Sequence, residues 1–160
     1  MNLVALAPFW LVFALQLTLM AAALEDGWRL RISNLIPLTL IALAFVAIVI
    51  AGPSISLWQN LVLFAVLLLV GTFLFSARFL GGGDVKLLAS CGLWFDLASG
   101  WKMLVAVAIC GGLLAILLLS IRPVMPAVAR GRFVALQPRG GIPYGIGIAA
   151  GTAVMIWLLR

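Results

Sequence analysis

Long apolar runs separated by short polar gaps set the pattern of this chain. Five of them, Leu3–Leu24, Leu35–Gly52, Leu57–Phe79, Trp101–Ile121 and Ile142–Leu159, approach or exceed the roughly 20 residues a helix needs to cross a hydrocarbon core about 30 Å thick. A sixth run, Val85–Leu97, is shorter and would reach only about 20 Å as a helix. Inside a bundle it reads as a short span that starts within the membrane. The pattern therefore predicts an all-α membrane protein, a bundle of six transmembrane helices. Gly52-Pro53-Ser54 breaks one helix, and Ser33-Asn34 offers a cap for the second span. Pro123, Pro126 and Pro138 keep the gap at 122–141 from becoming one continuous helix. That gap is the longest and leaves no room for a soluble domain, so residues 1–160 read as a single membrane-embedded domain.

Composition strengthens the reading. Of the 160 residues 66% are hydrophobic and 9% charged, against roughly 25% charged in an average soluble domain. The formal charge is +6, from 10 Lys and Arg against 4 Asp and Glu. The basic residues lie in gaps between apolar runs, not on a solvated basic face, so anionic lipid is the partner and nucleic acid is not. Arg29, Arg31, Arg78, Lys86, Arg122, Arg130, Arg132 and Arg139 fall on one side of a six-span chain, with only Lys102 and Arg160 near the other. This bias puts the basic gaps in the cytoplasm and both termini outside. Ala21-Ala22-Ala23 resembles a signal-peptidase site, but residues 1–24 carry no Lys or Arg, which favours a retained first helix.

Candidate chemistry is sparse. Histidine is absent, and Cys91 and Cys110 sit in apolar stretches without metal-ligand spacing. No cofactor or metal is expected. Four acids remain: Glu25, Asp26, Asp84 and Asp96. Asp96, at the outer end of the short span and near Lys102, reads as an interfacial charge. Glu25 faces a different direction from its neighbour Asp26. Asp26 leaves the first span and Asp84 enters the fourth, so the topology sets both at the cytoplasmic border. Two carboxylates level in the membrane suit an aspartyl dyad. Equally, an Asp after three glycines suits a helix N-cap, and Asp26 suits a plain interfacial acid.

The residues around these acids carry a resemblance. Gly81-Gly82-Gly83-Asp84 fits Gly-x-Gly-Asp, followed by Val85-Lys86-Leu87, and Asp26 precedes Arg31-Ile32-Ser33-Asn34. Pro143-Tyr144-Gly145 is similar to the start of the last helix in the same proteins. The chain resembles the type IV prepilin peptidases, intramembrane aspartyl proteases, and within them the short form that processes Flp-type pilins of tight-adherence systems. Ser33 stands where proline is common in that family. The resemblance implies an aspartic endopeptidase of the bacterial inner membrane, with Asp26 and Asp84 catalytic and its site on the cytoplasmic side. Its substrates would be prepilins, both Flp-type pilins and pseudopilins. Larger members add a domain with paired Cys-x-x-Cys motifs that methylates the new N-terminus. Nothing here corresponds to it, so cleavage without methyl transfer is expected.

Two close carboxylates share one proton and so supply both an acid and a base for peptide hydrolysis. Helix polarity suggests Asp84, at a helix N-terminus, as the resting carboxylate and Asp26, near a helix C-terminus, as the resting acid; Arg29 and Arg31 are able to cancel that bias. Gly81 and Gly83 are expected to shape the site through positive φ and close backbone approach to an extended substrate. Arg31 and Asn34 are candidate site-shaping residues. Lys86 either counters the charge of the dyad or snorkels to lipid phosphate. Gly141-x-x-x-Gly145 and Gly147-x-x-x-Gly151 look like helix-packing positions.

Two other functions compete. A proton-relay subunit needs further polar groups along the helices, and beyond Gln16, Thr18, Gln59, Asn60, Thr72 and a few small hydroxyls the spans are dry. A non-catalytic subunit of a pilus or secretion assembly predicts that Asp26 and Asp84 tolerate Asn. A presenilin-like protease fits less well, because Leu24-Glu25-Asp26 replaces the Tyr-Asp sequence expected there.

Overall fold

The computed structural model describes residues 1–52, 56–123 and 141–160, and every regular element among them is a helix. In chain order these are α1 (Leu3–Leu6), α2 (Phe9–Arg29), α3 (Leu35–Ala51), α4 (Leu57–Ser76), α5 (Gly82–Gly92), α6 (Leu97–Ile121) and α7 (Tyr144–Leu158). Helices α2, α4 and α6 are long and apolar enough to cross a membrane, while α3 and α7 are shorter apolar helices. Pro126, Pro138, Arg130, Arg132 and Arg139 of the basic gap lie outside the described residues, as do Pro53 and Ser54.

The first apolar run is not one helix. Ala7 is extended, as the residue before a proline prefers, and Pro8 caps the start of α2. The helix then runs five residues beyond Leu24, because Glu25 to Arg29 lower hydropathy without forbidding helical backbone. Asp26 therefore projects from the last turns of a helix and not from a loop. Leu30 ends it in the left-handed region at φ 51°. At the third run α4 stops at Ser76, short of Phe79, where Arg78 turns to φ 62°.

The short fourth run is displaced from its predicted register. Helix α5 starts at Gly82 and ends at Gly92, and Leu93-Trp94-Phe95 form a buried turn. Asp96 is therefore not a charge at the end of that span. It is the N-cap of α6, its Oδ1 accepting the Ser99 N–H at 2.8 Å, and α6 begins four residues before Trp101. Helix α5 is the centre of the molecule, packed on α3, α4 and α7, with Asp84, Val85, Leu87, Ala89, Ser90, Cys91 and Gly92 buried. Trp94 anchors its far end through Nε1–H to the Leu40 carbonyl at 3.2 Å.

Polar ties hold that far end together. Asn60 is buried, and its Nδ2 donates to the carbonyls of Met1 and Leu93, each at 2.8 Å. Arg160 donates to the Ala7 carbonyl at 2.6 Å. The Gly147/Gly151 pair packs as expected: a Cβ at Gly147 would lie 2.6 Å from Gly111 Cα, and one at Gly151 would strike the Val107 backbone. The Gly141/Gly145 pair does not form such a ridge. Gly141 precedes α7, and Gly145 faces α2 and the segment after it.

Candidate active site

At the opposite end of the bundle the last turn of α2 meets the first turns of α5 and α7. Asp26 is 4% exposed and Asp84 9%. Both line two adjoining cavities of about 390 and 280 Å³, and they are close enough for their charges to interact. Aspartates 58 residues apart in sequence (84 − 26) are thus brought to one site.

Each carboxylate is fixed by a backbone amide. Asp84 occupies the third position of α5, and its Oδ2 reaches back to accept the Gly81 N–H at 3.3 Å. Asp26 Oδ2 accepts the Gly145 N–H at 2.7 Å, from the second residue of α7. Asp26 thus meets a helix N-terminus too. The expectation that only Asp84 does so fails, and with it the helix-polarity argument for which carboxylate is charged at rest. In the sequence Gly145 reads as a helix-packing position and not as a hydrogen-bond donor to Asp26, since a donor amide has no side-chain signature.

Ile32 joins the two halves. It is buried, and a Cβ at Gly83 would lie 3.1 Å from Ile32 Cβ and 3.2 Å from its carbonyl oxygen. A Cβ at Gly145 would lie 2.6 Å from Ile32 Cδ1 and 2.8 Å from Asp26 Oδ2. The segment between α2 and α3 therefore lies against both aspartate-binding helix starts, at positions where only glycine leaves room. The positive φ expected of Gly81 and Gly83 is absent: among the described glycines only Gly52 has one, and Gly81 sits at φ −74°. Their smallness serves close approach of the chain to itself. The rim includes Leu30 and Arg78, the two non-glycine residues with positive φ among those described. Such residues each cost about 1–3 kcal/mol and cluster where surrounding structure over-determines them.

The other candidates separate. Arg31 is exposed and lines the smaller cavity with both aspartates. Asn34 and Lys86 lie elsewhere: Lys86 Nζ donates to Asn34 Oδ1 at 2.9 Å, and both line a groove that contains neither aspartate. Two residues along a helix is a rotation of about 200°, so Lys86 leaves α5 on the face away from Asp84. Asn34 stands at the start of α3 without capping it through its side chain, since its oxygen is taken by Lys86. Ser33 does not cap it either. Its N–H donates to Glu25 Oε2 at 3.0 Å, which ties the loop back to α2.

The described residues form a membrane-type helical chain with two buried aspartates on facing helix ends, an arrangement of the kind an intramembrane aspartyl peptidase would use. A family model described as the type IV leader peptidase family matches residues 11–121, more than half of the chain, and the protein belongs to that family. Membership makes it an integral membrane protein of leader-peptidase type, and prepilins are the substrate class the family implies. No curated protein and no solved structure matches the chain. The matched region holds Asp26 and Asp84 but ends before α7 and Gly145.

Proposed function

We propose that Asp26 and Asp84 are the catalytic pair of an aspartic endopeptidase that removes the leader from Flp-type prepilins and pseudopilins at the cytoplasmic face of the bacterial inner membrane. The observation that carries this is the shared lining of two cavities by two buried carboxylates, each with one oxygen on a backbone amide. The oxygens not held by backbone amides are the ones that would meet water and substrate. The ionised carboxylate takes a proton from water as its oxygen attacks the scissile carbonyl carbon. The protonated partner donates to the carbonyl oxygen as charge develops there. Collapse of the tetrahedral intermediate breaks the C–N bond, with a proton passed to the leaving amine, and the dyad returns to its shared-proton state.

A six-span topology with both termini outside supports the cytoplasmic site. The helix ends at Asp26 and Asp84 lie at the end of the bundle that holds Arg29, Arg31, Arg78 and Arg122, and Lys/Arg-rich segments face the cytoplasm. A prepilin with a basic leader and an apolar helix would bring its scissile bond to that level. The single domain would cleave without methylating. Co-expression with a Flp-type prepilin, with the product N-terminus read by mass spectrometry, tests the reading. Cleavage at the leader junction with an unmethylated N-terminus supports it. Cleavage elsewhere, or a methylated product in a host lacking other such enzymes, contradicts it.

A further inference from the structure

A separate cavity, of about 300 Å³, opens between α3 and α4 with α5 as its floor. The two helices pack on α5 and not closely on each other. Its walls are apolar, with Pro37 and Ile41 from α3 facing Phe64 and Leu68 from α4. One end alone is polar. There Lys86 Nζ donates to Asn34 Oδ1, which occupies one lone pair of that oxygen, and the Ser90 hydroxyl in the lining donates to the Lys86 carbonyl. What remains is mostly donors: the other ammonium hydrogens and the Asn34 amide hydrogens. No carboxylate lines the cavity, and Lys86 makes no ion pair among the described residues.

A cationic mouth rich in N–H donors and without a carboxylate, above an apolar trough, complements one chemistry. We propose that this groove binds an anionic phospholipid, its phosphate held by Lys86 and Asn34 and an acyl chain laid between α3 and α4. A second copy of the chain is a poor occupant, because it would bring further positive charge to a cationic mouth; the formal charge is +6. The proposal does not depend on the peptidase reading, and its test reads binding alone.

The protein and the variants Lys86→Gln, Lys86→Arg and, as a distant control, Lys102→Gln would be equilibrated with equal amounts of phosphatidylglycerol and phosphatidylcholine. Retained lipid would be weighed by native mass spectrometry. The unaltered chain, Lys86→Arg and Lys102→Gln should each keep phosphatidylglycerol in preference, and Lys86→Gln should lose at least fivefold of that preference. Retention unchanged in Lys86→Gln, or no preference in the unaltered chain, overturns the proposal. A photo-crosslinking residue at Leu38, in an otherwise unaltered chain, should capture phosphatidylglycerol. Capture of a second copy or of a prepilin instead overturns it. Excess soluble glycerol phosphate should leave the lipid bound, and displacement by it would assign the site to phosphate alone.

Discussion

The Gly145 N–H donates to Asp26 Oδ2 at 2.7 Å across 119 residues of sequence. One residue comes from the end of α2 and the other from the start of α7, so α7 supplies the fixed partner of the α2 carboxylate. A hydrogen bond to a charged group is worth about 1.5–3 kcal/mol, or about tenfold or more in rate. Gly145→Ala would place a Cβ 2.8 Å from that oxygen and 2.6 Å from Ile32 Cδ1. It should lower prepilin cleavage by at least about tenfold, with the variant still accumulating in membranes. Gly141→Ala, whose Cβ would make ordinary contact with Leu30 Cδ1 at 3.6 Å, should cleave normally. Equal cleavage by both variants would show that the amide contact is dispensable.

The three glycines before Asp84 should respond unequally. A Cβ at Gly81 would press on Asp84 Oδ2 at 2.8 Å and one at Gly83 on Ile32, whereas one at Gly82 meets only the Phe75 ring at 3.4 Å. Gly81→Ala and Gly83→Ala should therefore lose most activity, and Gly82→Ala should keep it. Initial cleavage rates at matched protein level decide, and loss only with Gly82→Ala would refute the packing account.

Glu25 and Asp26 are adjacent but should behave differently. Glu25 holds the Ser33 N–H and pairs loosely with exposed Arg29 at 3.9 Å. Glu25→Gln keeps an acceptor for the amide and gives up only an exposed ion pair, worth about 0–1 kcal/mol. Cleavage should stay within about fivefold of normal. A total loss, measured in the same assay, would make Glu25 part of the chemistry.

Asn60 is a polar residue with a structural task. Asn60→Leu leaves the carbonyls of Met1 and Leu93 without their donor in a buried setting, at about 1–3 kcal/mol for an unsatisfied group. Thermal unfolding in detergent should move down by several degrees, while cleavage per folded molecule at low temperature persists. Unchanged unfolding would remove Asn60 from the account of stability.

Much of this was legible in the apolar runs and in Gly-x-Gly-Asp. Hydropathy located the helices because membrane-length apolar stretches have few other uses. It misjudged their ends, since Glu25 to Arg29 stay helical while polar and Asp96 caps the helix after it. The aspartates were readable because carboxylates at membrane depth are costly. Gly145 was not, because it acts through a backbone amide whose target is set by tertiary packing. The direction of Lys86 was available from helical periodicity, which turns it away from Asp84.

The central claim is that two carboxylates act together, and substitution of each tests it most directly. A Flp-type prepilin would be co-expressed with the unaltered chain, with Asp26→Asn, with Asp84→Asn and with no peptidase. Leader removal would be followed by mass shift and each variant quantified in the membrane. Cleavage by the unaltered chain, abolished by either Asn at equal protein level, is the predicted result. Cleavage that survives both substitutions would contradict the dyad and favour a non-catalytic assembly subunit.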